Sequence, residues 1–272
     1  MKKFCCSFVW LVAFCACSRL FLLSAFSAQD FDEVLEDAEA GKASVQFRIG
    51  YWYDTGKGEV EKDRRQAVKW YRKAAAQGHL SAMNNLGICY ECGRGVEKDY
   101  EEAFKLFRRT ADRGSLYGKY RLGRMYEYGY GVPVNYYKAF HCYEPAAHKG
   151  SAEAQNALGI LYYKGRGVEK DYSKAWVWFK KAANQKNTMA QNYLGMMYLK
   201  GYSVKKNRKE AFSWFSKAAA KGYSAAESNI GLMYEQDRRY KDAYSWYRRA
   251  AKSGSEYGKA GAKRMRKILF KK

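Results

Sequence analysis

The residues best suited to nucleophilic, redox or metal chemistry in this sequence are three histidines and seven cysteines. His141 and His148 are seven apart and could share one face of a helix, but zinc needs further nitrogen or sulfur ligands. Cys142 points to another side of that helix. His79 stands alone. Cys89 and Cys92 have the C-x-x-C spacing of a redox pair, yet no second cysteine pair or thioredoxin-like pattern accompanies them. GKG and GRG strings recur, but as inter-helix turns, not as the glycine-rich loop that cradles phosphate. No nucleophile–base constellation emerges. The expectation is a non-enzymatic protein with no metal, no cofactor and no small-molecule substrate.

The elements around these residues repeat. Leu158 to Ala183 reads LGILYYKGRGVEKDYSKAWVWFKKAA, and Leu86 to Ala111 reads LGICYECGRGVEKDYEEAFKLFRRTA. With the Gly after Leu or Ile as origin, Gly50, Gly87, Gly123, Gly159, Gly195 and Gly231 follow at intervals of 37, 36, 36, 36 and 36 residues. Tyr53, Tyr90, Tyr126, Tyr162, Tyr198 and Tyr234 stand at plus three. Small residues at minus five, such as Ala82 and Ala154, complete a stripe of one residue per turn. Each unit therefore opens with a helix that buries small, Leu and Tyr side chains.

Gly at plus six suits the left-handed residue that ends a helix. Asp63, Asp99, Asn135, Asp171 and Asn207 then suit the N-cap of a second helix, whose free N–H groups they can bond. That helix carries a core Ala, as at Ala175, and aromatics three and four later, as in Trp178-Phe179. Neither helix can bury its apolar face alone, whereas stacked hairpins share one core. Pro145 interrupts the third second helix; an interior Pro costs about 3 kcal/mol, so a kink or a shortened helix is expected there.

The pattern LGxxYxxGxGVxKDYxxAxxWFxKAAxxG closely resembles the Sel1-like repeat, a relative of the tetratricopeptide repeat. The resemblance covers residues 30–262. It implies an all-α fold, a right-handed α-solenoid of about six helix-turn-helix repeats with capping helices. It also implies a scaffold or adaptor that binds other proteins.

The chain divides accordingly. Residues 1–28 combine Lys2 and Lys3 with an apolar run and a small-residue exit, as in a signal peptide. An uncleaved membrane anchor over residues 4–28 is the alternative, although Arg19 in its middle costs about 2.5–3.5 kcal/mol. The expected location is secreted or periplasmic. Residues 29–45 form an N-terminal capping helix and lead-in, 46–254 the repeat array, and 255–272 a basic capping helix.

Two surfaces could bind a partner. If first helices line a concave groove, minus three, plus one and plus four face it. Those positions hold Asn84, Tyr120, Asn156 and Asn192, then Arg124, then Glu91, Glu127 and Tyr163. Asn can bond both backbone groups of an extended peptide. The second surface is charge. The net charge is +23, and Lys263, Arg264, Arg266, Lys267, Lys271 and Lys272 crowd the last helix. A polyanion or an anionic membrane surface fits such an end. Nucleic acid does not fit a secretory leader.

Overall fold

The computed structural model describes residues 28–57 and 60–270, which form fourteen α-helices and no strand. The leader, Lys271 and Lys272 lie outside the described residues. The chain falls into two compact units, divided between Leu106 and Phe107.

The first unit holds α1 (Ala28–Glu39), α2 (Ala43–Thr55), α3 (Arg64–Ala76), α4 (Leu80–Cys92) and the start of α5 (Tyr100–Asp112). Tyr71 of α3 is fully buried and lies over Gly50, where a Cβ would come within 2.7 Å of the ring. Gly is therefore required at the origin position: it lets the second helix of a hairpin lie against the first. Ala67, Val68, Tyr71 and Ala74 meet Met83, Leu86 and Cys89 of the next hairpin, so one core serves two repeats. Each such large side chain contributes about 1.5–3 kcal/mol by leaving water.

The second unit repeats this scheme with α6 (Leu116–Tyr128), α7 (Tyr136–His148), α8 (Ala152–Lys164), α9 (Tyr172–Asn184), α10 (Thr188–Lys200), α11 (Arg208–Ala219), α12 (Ser224–Gln236), α13 (Tyr240–Lys252) and α14 (Glu256–Leu269). Tyr143, Phe179, Phe215 and Tyr247 lie over Gly123, Gly159, Gly195 and Gly231 in turn. The α7 helix keeps the usual 13 residues and runs through Pro145. The expected shortening is absent: proline gives up only its own N–H bond, and its carbonyl still accepts from Lys149 N–H, so the last turn closes after it.

Local chemistry explains the boundaries. The Asp63 and Asp99 carboxylates accept from N–H groups of α3 and α5, and Asn135, Asp171 and Asn207 do the same for α7, α9 and α11. Ser115, Ser151, Asn187 and Ser255 cap α6, α8, α10 and α14. His79 takes that place on α4, its Nδ1 accepting from Ala82 N–H at 3.2 Å.

In three repeats a glutamine seals the preceding helix end. Gln46, Gln155 and Gln191 donate from Nε2 to the carbonyls of Ala38, Ala147 and Ala183, each eight residues back. Repeat six replaces Gln by Glu227. There Arg249 bonds Glu227 at 2.6 Å and itself donates to Ala219 O at 2.7 Å. The inter-helix loops add a close approach between hairpins. A Cβ on Gly167 would lie 2.3 Å from the Tyr136 carbonyl carbon. Ser203, at the equivalent place one repeat on and also at positive φ, shares a 2.5 Å hydrogen bond with Ser173.

Candidate functional site

The groups singled out for chemistry have structural environments. His79 stacks on Phe47 at 4.8 Å and burial lowers its pKa. His141 lies edge-on to Tyr137 and 3.6 Å from Glu144, while His148 meets the edge of Trp178. Burial pushes the Cys89 thiol up to about 12 and the Cys142 thiol up to about 11, which suppresses the nucleophilic thiolate. Cys89, Cys92 and Cys142 are all free thiols. Among the described residues no group of three His, Cys, Asp or Glu side chains is placed to hold a metal ion. Among them, too, no helix is long and apolar enough to cross a membrane.

The groove positions divide by role. Asn84, Asn156 and Asn192 are each less than a tenth exposed. Asn156 donates to the Met189 sulfur at 3.3 Å, and Asn192 accepts from Asn229 at 2.9 Å, both on the next first helix. The two amides of the second unit thus register one repeat against another. Glu127 is buried and accepts the Tyr143 hydroxyl at 2.6 Å, and Glu91 of the first unit is buried as well. Tyr120 packs on the Tyr143 ring at 5.8 Å, and burial raises its pKa.

An open aromatic surface lies beside them in the second unit. Arg124 lies 5.7 Å over Tyr128, which is 52% exposed and stacks on Tyr130 at 5.6 Å. Tyr163 meets Tyr172, Tyr193 and Tyr202 at 5.3, 5.3 and 6.1 Å, and burial raises its hydroxyl to about 12. Tyr193 in turn stacks flat on Phe179 at 4.7 Å. Tyr223, Tyr128, Glu127 and Arg166 all bear electrostatically on Tyr193, although burial is the main reason its pKa rises. Side chains from repeats three, four and five, down to Tyr223 at the end of repeat five, therefore lie within electrostatic reach of Tyr193. Successive first helices also meet directly, α8 with α10 and α12 with α14. Such a surface offers π-faces, phenolic hydroxyls and the guanidiniums of Arg124 and Arg166, and suits an extended chain with mixed side chains.

Sequence reasoning missed Tyr128, Tyr193 and Arg166. Their register differs from repeat to repeat, so a position-by-position comparison averages them away. The usable signal was the tyrosine content itself, 25 residues, more than six core positions can absorb.

On the basic helix, Lys263, Arg266 and Lys267 are exposed. Arg264 instead pairs with Glu235 through two bonds of 2.7 and 2.6 Å, which hold the Glu235 carboxyl below its usual range.

Comparison with known proteins finds the Sel1 repeat six times, at residues 43–79, 80–115, 116–151, 152–187, 188–223 and 224–255. A protective antigen of uropathogenic Escherichia coli, described as displaying an SLR fold, is 31% identical with a TM-score of 0.74. The match covers 88% of this chain and 52% of that one. A Sel1 repeat protein of Oxalobacter formigenes is also 31% identical, with a TM-score of 0.66 over 85% of this chain and 89% of that one. The chitin synthase regulator of Saccharomyces cerevisiae is 39% identical over 72 residues, which are 24% of this chain and 10% of the regulator. The chain thus spans about half of the antigen and a tenth of the regulator.

Proposed function

Because this chain belongs to the Sel1 repeat family, we propose that it is a non-catalytic scaffold that holds a protein partner on the tyrosine-lined surface of residues 107–272. Sel1 repeat proteins bind other proteins, and their solenoid is typically an interaction platform. The observation that carries the reading is the ring cluster of Tyr163 with Tyr172, Tyr193 and Tyr202 across repeats four and five, with Tyr128, more than half exposed, within electrostatic reach of Tyr193. Exposed aromatics with a nearby guanidinium are the side chains that dominate binding energy in interfaces. Tyr120, Arg124 and Glu127 border this surface. Asn156 and Asn192 act one step back, by setting the spacing of the helices that present it. In the first unit Asn84 and Glu91 hold the matching positions and would serve a partner in the same way. The basic, apolar leader supports a secreted or periplasmic setting for the encounter.

Site-specific photo-crosslinking tests this. A benzophenone side chain replaces Tyr128 in one protein and Val177, exposed on second helix α9, in another. A discrete protein adduct formed from position 128, resistant to high salt and absent from position 177, is the expected result. Equal adducts from both positions, or none from position 128, would overturn the proposal.

A further inference from the structure

The α13 and α14 helices carry a second surface of different chemistry. On α13, Tyr244, Arg248 and Lys252 follow one another at helical spacing, with Ser245 and Arg249 alongside. Together these five residues line an open pocket of about 360 Å³. Arg249 is engaged with Glu227 and Ala219, whereas Arg248 lies over the Tyr244 ring at 5.7 Å. Phe270, just past α14, meets the same ring edge-on at 6.3 Å.

On α14 the buried stripe is Gly258, Gly261 and Met265. The exposed positions of that helix include Lys259, Lys263, Arg266 and Lys267. Lys259 and Arg264 have acidic partners, as does Arg249. Among the described residues Arg248, Lys252, Lys263, Arg266 and Lys267 form no ion pair. Two apolar side chains stand out beside these cations, Phe270 at 67% and Ile268 at 45% exposure.

Unneutralised cations around exposed apolar groups match a layered environment, with phosphates outermost and hydrocarbon beneath. A soluble polyanion would satisfy the cations but leave Ile268 and Phe270 in water. We propose that this end of the second unit docks on an anionic lipid bilayer, with Arg248 and Lys252 taking headgroup phosphates and Ile268 and Phe270 entering the interfacial layer. Aromatic side chains favour that layer, and each cation near an anionic leaflet adds to the attraction. The surface is distinct from the tyrosine-lined one and leaves it free for a protein partner.

The test is co-sedimentation of the full chain with phosphatidylglycerol–phosphatidylcholine vesicles and with pure phosphatidylcholine. The apolar leader contributes to both, so the readout is the gain caused by phosphatidylglycerol. Arg248→Glu with Lys252→Glu should weaken that gain by roughly 30-fold or more, at about tenfold per 1.4 kcal/mol. The milder Arg248→Gln, Lys252→Gln pair should weaken it in the same direction if the first variant melts early. Ile268→Ala with Phe270→Ala should weaken it several-fold. Lys69→Glu with Lys209→Glu, exposed elsewhere and matched in charge, should leave it nearly intact. Equal loss in the matched control would overturn the proposal, as would indifference to Ile268 and Phe270. Complete competition by inorganic phosphate would assign the pocket to a free anion instead. Lipid-independent self-association abolished by the Arg248 and Lys252 changes would assign the surface to the acidic α1 of a second copy.

Discussion

Tyr143 donates its phenolic hydrogen bond to Glu127 over 2.6 Å in a buried setting, and the pair joins the two helices of repeat three. Repeat six builds the same bond between Tyr247 and Glu235 at 2.7 Å. Repeat five places Phe215 and Leu199 at the same two positions and packs them together. In repeat five hydroxyl and carboxylate are thus both replaced by apolar groups.

The exchange should work by mutation. Tyr143→Phe strands the Glu127 carboxylate and should cost about 2 kcal/mol. Adding Glu127→Leu recreates the repeat-five pair and should return stability to within about 1 kcal/mol of the parent. Urea denaturation of the two single variants and the double variant measures the coupling; additive losses would show that the bond is not what ties the positions together.

Glu227 is 1% exposed and its charge is met by Arg249. Arg249→Ala leaves a buried carboxylate unpaired, and a loss of about 3 kcal/mol is expected. Glu227→Gln in that background restores the arrangement of Gln155 and Gln191, whose amides reach the helix-end carbonyl directly. Thermal melting should show the double variant recovering most of the loss.

His79 gives the first unit a pH-dependent element. Its Nδ1 accepts from Ala82, and burial lowers its pKa below the usual value near 6.5. The unfolded chain therefore takes up a proton more readily than the folded one. Stability from this cap is complete above about pH 6.5 and declines as pH falls through it. His79→Ser, which installs the cap used by Ser115 and Ser151, should shrink the difference in melting temperature between about pH 7.5 and pH 5.5. A difference unchanged by the substitution would place the pH response elsewhere.

Gly159→Ala should destabilise although Ala is the better helix former. The new Cβ would fall 2.6 Å from two carbons of the buried Phe179 ring. A gain of about 1 kcal/mol in propensity is set against about 1–3 kcal/mol of overpacking. A lowered urea midpoint is expected, and Gly159→Ala with Phe179→Leu should regain part of it.

The parts of this molecule that could be read from sequence are those whose cause is local. An Asp or Asn before a second helix caps it, a Gly at plus six ends a first helix, and a small residue every turn makes a stripe. Each depends on neighbours within about a turn or two. What could not be read depends on how one hairpin sits on another. Asn156 reaches Met189 across 33 residues and Asn192 is bonded by Asn229 across 37, so amides that look available for a peptide in the sequence are spent between repeats in the fold. Arg264, read in the sequence as part of the basic end, is held by Glu235. Tyr193 became visible as part of a surface only when side chains two repeats away were brought beside it. Pro145 was read by a rule for helix interiors, whereas packing on both sides carries α7 to its usual length with one backbone bond fewer.

The caps at Ser151 and Asn187 open α8 and α10 in the same manner, 36 residues apart, and the backbone leaves each of them into equivalent surroundings. Each is therefore a natural splice point. Excising the segment between them joins like to like, and copying it inserts a hairpin whose two outer faces already match its new neighbours. Length in such a chain is a heritable variable that evolution can change by recombination in whole steps, lengthening or shortening the interior surface without solving a new core each time.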